Sequence, residues 1–181
     1  MPELPEVETI RRQLETIIGS RIVDVSFTPS KVIRGEMATL RHAKVLSIER
    51  YGKLLVIHLS DDRALSIHLK MTGRLSLLEK EDEIPLYNHI TFTLRAPSAK
   101  RMEPRSENVW FSTSSNSNKL TFSDMRKFGF VSLHTNDQIV SLPFIRSLGK
   151  EPLKDLTLED FENILSHSKR AIKVLDRKSV V

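Results

Sequence analysis

Residues 45–59 read Val45-Leu46-Ser47-Ile48-Glu49-Arg50-Tyr51-Gly52-Lys53-Leu54-Leu55-Val56-Ile57-His58-Leu59. Two strand-like runs, Val45–Arg50 and Lys53–Leu59, meet across the turn signal Tyr51-Gly52. The pattern repeats downstream at Ala64–Lys70, Arg74–Leu78, His89–Arg95, Val109–Phe111, Leu120–Phe122 and Phe130–His134, with Asp61-Asp62 as a further turn signal. Upstream, Val23, Val25 and Phe27 alternate with Ile22, Asp24 and Ser26, the period of a half-buried strand. Many short antiparallel strands separated by turns predict a β-sandwich or barrel. No internal repeat stands out.

The two ends are helical in pattern. Val7, Ile10, Leu14, Ile17 and Ile18 recur at helical spacing, Pro5 suits a first turn, and Gly19 supplies a stop, so helix 1 is expected roughly from Pro5 to Ile18. A short helix is expected over Glu36–His42. From Pro143 the pattern turns helical again, and Thr157-Leu158-Glu159-Asp160 resembles a capping box ahead of the apolar face Leu158, Phe161, Ile164 and Leu165. Ala96–Glu107 and Ser112–Asn118 read as loops around a possible strand holding the only tryptophan, Trp110. The expected class is α+β, mainly β: an N-terminal helix packed on an antiparallel β-sandwich of about eight strands, with a short C-terminal helical stub. Residues 1–142 are expected to form one domain, and 143–181 a linker and partial helical segment.

At 181 residues the chain is large enough for one sizeable core. A hydrophobic content of 39% with 28% charged residues places it among globular proteins rather than disordered ones. No apolar run approaches the roughly 20 residues of a membrane span, and no basic-plus-apolar leader precedes Pro2, so a cytoplasmic or nucleoid location is expected. The net charge of +5 leans toward polyanions without identifying one. With no cysteine, disulfides, thiol catalysis and Cys-based zinc sites are excluded.

The first residues, Met1-Pro2-Glu3-Leu4-Pro5-Glu6-Val7-Glu8, carry candidate chemistry. Removal of Met1 makes Pro2 a secondary amine beside a carboxylate. An α-amino group titrates at about 7.7–8.0, so its nucleophilic fraction near neutrality far exceeds that of lysine. A secondary amine attacking a sugar carbon forms a cationic iminium, and Glu3 is placed to shuttle protons. Proline and glutamate are also common at helix starts for purely local reasons, so residue chemistry alone leaves both readings open.

The string resembles the N-terminus of the formamidopyrimidine-DNA glycosylases, bacterial base-excision repair enzymes for oxidised purines. Leu4 fits that branch better than the endonuclease VIII-like one. The resemblance implies that Pro2 is the nucleophile and Glu3 the acid/base. Five further stretches agree with it, in family order. Lys53, which on its own reads more readily as a surface lysine, falls at the family's catalytic lysine, which stands beside the nucleophile, contacts the phosphate and assists elimination. His68-Leu69-Lys70-Met71-Thr72-Gly73-Arg74-Leu75 is similar to a signature in which the Met fills the gap left by a flipped base and the His contacts phosphate. By strand alternation Ile67, Leu69 and Met71 share one face there, and His68 and Lys70 the other. Asp124-Met125-Arg126-Lys127-Phe128-Gly129 resembles the family's Asp-Pro-Arg-Arg-Phe-Gly loop, so Arg126, Lys127 and Phe128 are implied DNA contacts. Leu148-Gly149-Lys150-Glu151-Pro152-Leu153 resembles the linker ahead of a second domain, and Ser168–Lys173 the entry to it, with Lys169 at a phosphate-contact position.

Departures are visible. Met125 replaces Pro, Lys127 replaces an Arg and loses its bidentate fork, and Tyr87 stands where many relatives place a DNA-contacting His. Beyond Lys173 the resemblance stops, without the helix-two-turn-helix segment or the zinc finger. The expected cofactor set is therefore empty, with no metal. The implied function is a DNA glycosylase with abasic-site lyase activity on damaged double-stranded DNA, acting as a monomer through a Schiff base on Pro2. DNA affinity is expected to be weak, and β-elimination to outrun δ-elimination. A non-catalytic DNA-binding remnant is the alternative.

Overall fold

The computed structural model describes residues 2–79, 81–97, 117–149 and 157–166. Helix α1 (Leu4–Leu14) opens the chain and tightens into a 3₁₀ turn at Glu15–Ile17. It begins one residue before the expected Pro5, with Glu3 as its N-cap, and its α-helical part stops short of Ile18. Nine strands follow among the described residues: β1 (Arg21–Phe27), β2 (Ile33–Arg34), β3 (Val45–Tyr51), β4 (Leu54–Leu59), β5 (Arg63–His68), β6 (Arg74–Glu79), β7 (Asn88–Arg95), β8 (Ser117–Ser123) and β9 (Phe130–Thr135). A 3₁₀ turn at Met37–Leu40 stands where a short helix was expected. Three helices close the order: α2 (Asn136–Ser141), α3 (Pro143–Arg146) and α4 (Leu158–Ser166).

The strands form two sheets, ordered β1-β7-β8-β6 and β2-β9-β5-β4-β3. Their inner faces enclose one core, in which Leu55, Ile57, Leu65, Ile67 and Val131 meet Ile90, Phe92, Leu94, Leu120 and Phe122. Val7 and Leu14 of α1 join that core, so the helix is packed on the sandwich as expected. The run Leu54-Leu55-Val56-Ile57 is buried throughout because β4 is covered on both faces. Leu55 and Ile57 face the sandwich core. Leu54 and Val56 face a second cluster with Ala64 and Ile139, against which Leu142, Phe144 and Ile145 pack.

Four local expectations are corrected. Pairing is antiparallel except at β2, a two-residue strand parallel to β9 that is too short for alternation to reveal. Helical structure resumes at Asn136 rather than Pro143. Thr135 caps α2, its N–H donating to Gln138 Oε1 at 3.1 Å, an exchange hidden by the apolar strand just before it. Ser117 and Asn118 belong to β8 rather than to a loop, because pairing with Arg95 and Leu94 extends the strand into polar sequence. Strand β5 ends at His68, where Lys70 turns left-handed (φ 54°), so Met71 leaves the core face and lies 49% exposed. Residues 96–97 aside, the expected loop at 96–107, the strand around Trp110 and most of 112–118 lie outside the described residues. The capping box at Thr157 is present: Thr157 N–H donates to Asp160 Oδ2 at 3.0 Å, and Asp160 N–H to Thr157 Oγ1 at 3.2 Å. Among the described residues no helix is long and apolar enough to cross a membrane.

One ion-pair network fixes α1 to the β3–β4 hairpin. Glu8 accepts from Arg11, from Arg12 Nε at 2.9 Å and from Arg50 Nε at 2.9 Å. Hydrogen bonding from Arg11, then from Arg50 and Arg12, outweighs burial and holds the Glu8 carboxyl at about 2. Arg50, 8% exposed, also donates to Gly52 O at 3.0 Å. Gly52 opens the two-residue turn with a φ of 57°, a backbone that favours glycine, and a Cβ there would press on Leu148 Cδ2 at 3.1 Å. Arg50→Met is expected to lower stability by about 3 kcal/mol, because Glu8 loses its partner from the sheet while keeping those on its own helix. Chemical denaturation measures it directly, and thermal melting should fall by roughly 6–12 °C.

Candidate active site and nucleic-acid interface

The N-terminal residues stand at the start of α1. Pro2 is half-buried and Glu3 is exposed. Glu3 N–H donates to Glu6 Oε2 at 2.9 Å, and Glu3 O accepts the first helical bond from Val7 N–H at 3.1 Å. The terminus therefore springs from a capped, docked helix rather than a loose tail. Six residues further on is Glu8, about 9 Å along the axis at 1.5 Å per residue. The same Arg50 that holds Glu8 holds Gly52, the neighbour of Lys53.

Lys53 and His68 lie side by side at one end of the five-stranded sheet, since Leu54 pairs with His68. Both are 7% exposed. His68 packs between Phe130 and Phe144, with ring centroids 5.9 and 5.7 Å away. Burial, then the positive charges of Lys70 and Lys53, push the imidazole down to about 4. It is neutral near pH 7, and Lys70 N–H donates to its Nδ1 at 3.0 Å. The proton of the neutral ring is thereby assigned to Nε2, which makes His68 a directed hydrogen-bond donor rather than a cation.

Beyond His68 three loops converge. Arg126 Nη1 lies 4.0 Å from Met71 Sδ, and its guanidinium sits 4.9 Å from the centroid of the Phe128 ring. Met71 and Phe128 are each 49% exposed, and Lys127 is exposed beside them. Tyr87 is 59% exposed, and its carbonyl accepts from Asp124 N–H at 3.1 Å. The structure thus brings Met71, Arg126 and Phe128 into one contact group, with Tyr87 and Lys127 tied to the same loops through their backbones. Lys169 lies outside the described residues.

At the centre is a residue that sequence reading passed over. Asp124, 1% exposed, accepts from Thr72 Oγ1, from Arg126 N–H at 3.1 Å and from Gly129 N–H at 2.7 Å. Burial alone would raise its carboxyl, yet the donors from Thr72, Gly129, Arg126 and Phe128 prevail and hold it below the ordinary range. Its carbonyl accepts from His89 Nε2 at 2.9 Å. Gly129 is required by close approach: a Cβ there would lie 2.7 Å from His68 O and 2.9 Å from Phe122 Cζ. A local signal for Asp124 existed, because an aspartate accepting from the N–H two residues on is an Asx-turn. Thr72 gave none, its partner being distant in sequence. Glu8 and Arg50 were likewise invisible as a pair.

Similarity to known proteins agrees with this arrangement. The profile of the formamidopyrimidine-DNA glycosylase N-terminal domain matches residues 1–131. The chain belongs to that family. It is 37% identical over 167 residues to the formamidopyrimidine-DNA glycosylase of Pelotomaculum thermopropionicum, and 35% identical over 185 residues to that of Heliobacterium modesticaldum. These alignments take in 89% and 97% of this chain but 53% and 60% of those proteins, so the chain spans little more than half their length. Among solved structures it resembles Lactococcus lactis Fpg in complex with an abasic site containing DNA, at a TM-score of 0.77 and 28% identity. A variant of that protein with a Fapy-dG containing DNA matches at 0.76. Each match covers 99% of this chain, against 62% and 61% of the other. The formamidopyrimidine-DNA glycosylase fold therefore accounts for the β-sandwich and for the helix that presents Pro2.

The His68 environment sets a pH dependence. A histidine held at about 4 in the fold, against 6.5 ordinarily, binds its proton more readily when unfolded. Its contribution to stability is complete above about pH 6.5 and is lost as pH falls toward 4. Melting temperature should decline across that window, and His68→Gln should flatten the decline. An unchanged slope in the variant would show that other groups carry it.

Proposed function

We propose that this chain is the catalytic part of a base-excision-repair DNA glycosylase with abasic-site lyase activity, acting on oxidised purines in double-stranded DNA. The observation that carries the reading is the contact group of Met71, Arg126 and Phe128, exposed at loop tips beyond Lys53 and His68. Apolar and cationic groups presented together at exposed tips suit a base-pair void, where side chains replace the stacking that an everted nucleotide gives up. Family membership supports the same reading, as do the damaged-DNA complexes of the Lactococcus lactis relative.

In this mechanism Pro2, freed of Met1, attacks C1′ with its nitrogen lone pair. The bond from C1′ to the base breaks and the base leaves with a proton. Glu3 protonates O4′ as the C1′–O4′ bond opens, leaving an iminium between Pro2 and C1′. Loss of a C2′ proton then expels the 3′ phosphate, and water releases the protein. Lys53 supplies charge to a phosphate, and His68 supplies its Nε2–H. Tyr87 and Lys127 reach the DNA from the rim, and Lys169 adds a phosphate contact. The amine and carboxylate cover nucleophile and proton transfer, so no metal or organic cofactor enters the scheme. The chain acts as a monomer in the bacterial cytoplasm, at the nucleoid, with residues 1–142 as the catalytic unit and 143–181 as a linker and partial helical segment.

Borohydride trapping tests the reading. Protein verified by mass to lack Met1 is mixed with an abasic-site duplex, reduced and run on a denaturing gel. A covalent band lost in Pro2→Gly is the expected outcome. No band from folded protein, with duplex binding unchanged in Pro2→Gly, would instead mean a scaffold that binds DNA without chemistry. Binding should weaken steeply with salt, and Lys53→Ala should reduce the slope of log affinity against log salt by about 1.

A further inference from the structure

Three of the six described non-glycine residues with left-handed backbone are Lys70 (φ 54°), Tyr87 (φ 59°) and Lys127 (φ 56°). The other three, His42, Asp61 and Asp62, are of types that visit this region more readily. Tyr87 and Lys127 are hydrogen-bonded to Asp124, and Lys70 stands in the loop that is bonded to it. Lys70 lies two residues before Thr72, whose hydroxyl donates to Asp124 Oδ1. The Tyr87 carbonyl accepts from Asp124 N–H, and Lys127 N–H donates to the Asp124 carbonyl at 3.3 Å. Strained backbone persists only where its surroundings over-determine it, and such residues cluster at ligand clamps. Here two of the three bond to the backbone of Asp124, and the third leads into the loop that its carboxylate holds.

Asp124 divides its acceptors between two loops. Oδ2 takes Gly129 N–H and Oδ1 takes Arg126 N–H, both within the 124–129 loop. The Thr72 hydroxyl, also on Oδ1, is its side-chain link to the loop that carries Met71. Across that link Met71 meets Arg126, and Arg126 meets Phe128. We propose that Thr72 and Asp124 are positioning residues: their hydrogen bond couples the Met71 loop to the Arg126–Phe128 loop, so that the three side chains enter duplex DNA as a single preformed wedge. The inference rests on the glycosylase reading and adds to it a division of labour. Pro2 and Glu3 do the chemistry on any accessible abasic sugar, whereas the Thr72–Asp124 bond matters only where a stacked duplex must be opened. In a single strand there is no partner base and no void to fill, so the wedge has no task there.

The test compares adduct yield on two probes, a duplex with one abasic site and the same strand unpaired, using the full chain lacking Met1. Thr72→Val keeps the side-chain volume and removes the hydroxyl. It is expected to cut the duplex yield tenfold or more while leaving the single-strand yield within about twofold. Thr72→Ser, which keeps the hydroxyl, should restore the duplex yield. Thermal melting of each variant establishes that it is folded. Asp124→Asn strands several donors at once and serves as a second, harsher variant. A Thr72→Val protein with an unmoved duplex-to-single-strand ratio overturns the coupling, whether both yields stay high or both fall together. No adduct from the unmodified chain on either probe overturns the glycosylase reading itself, and the wedge with it.

Discussion

An ionised carboxylate withdrawn from water is tolerated only when donors surround it, and the loop architecture at one end of this sandwich is organised around that requirement at Asp124. Its side chain takes donors from Thr72, Arg126 and Gly129, and its backbone pairs with Tyr87, Lys127 and His89. Three segments far apart in sequence thereby share one centre. The side chains at their tips, Met71, Phe128, Tyr87 and Lys127, stay exposed because the polar work of holding the loops is done beneath them. The proposed entry into DNA would use this arrangement: rigid underneath, apolar and cationic on top.

The other end of the constellation is held by a different device. Glu8 and Arg50 join α1 to the hairpin that carries Lys53, and Gly52 lets that hairpin turn beneath Leu148. Burial of Val7 and Leu14 fixes which face of α1 lies inward, while the ion pair fixes where along the sheet it lies. Apolar contact alone tolerates sliding, and a directed charged bond does not. In the proposed mechanism a nucleophile displaced by about 1 Å would lose much of its advantage, which would give the network a role beyond stability.

The electrostatics differ between the two ends. The Met71–Phe128 loops carry exposed positive charge at Arg126 and Lys127. At the sheet end the charge is selective: burial, then the positive charges of Lys70 and Lys53, keep His68 neutral, which leaves it a donor of fixed direction. The turn that contains Met125 is held by Asp124, which accepts from Arg126 N–H and Gly129 N–H.

The sequence by itself determined the class of the fold, the terminal helix and most strands, because apolar period is a local property that each segment carries alone. The Pro2-Glu3 pair reports a candidate chemistry in the same way. Motif resemblance named Met71, Arg126 and Phe128, though nothing in their spacing said that they touch. Tertiary structure decided what depends on pairing between distant segments. It placed Met71 outside the core, extended β8 into polar sequence, set β2 parallel to β9, and joined Thr72 to Asp124 and Glu8 to Arg50. A buried polar group is satisfied by whichever donor the fold brings near, and that donor leaves no trace in the residues beside it.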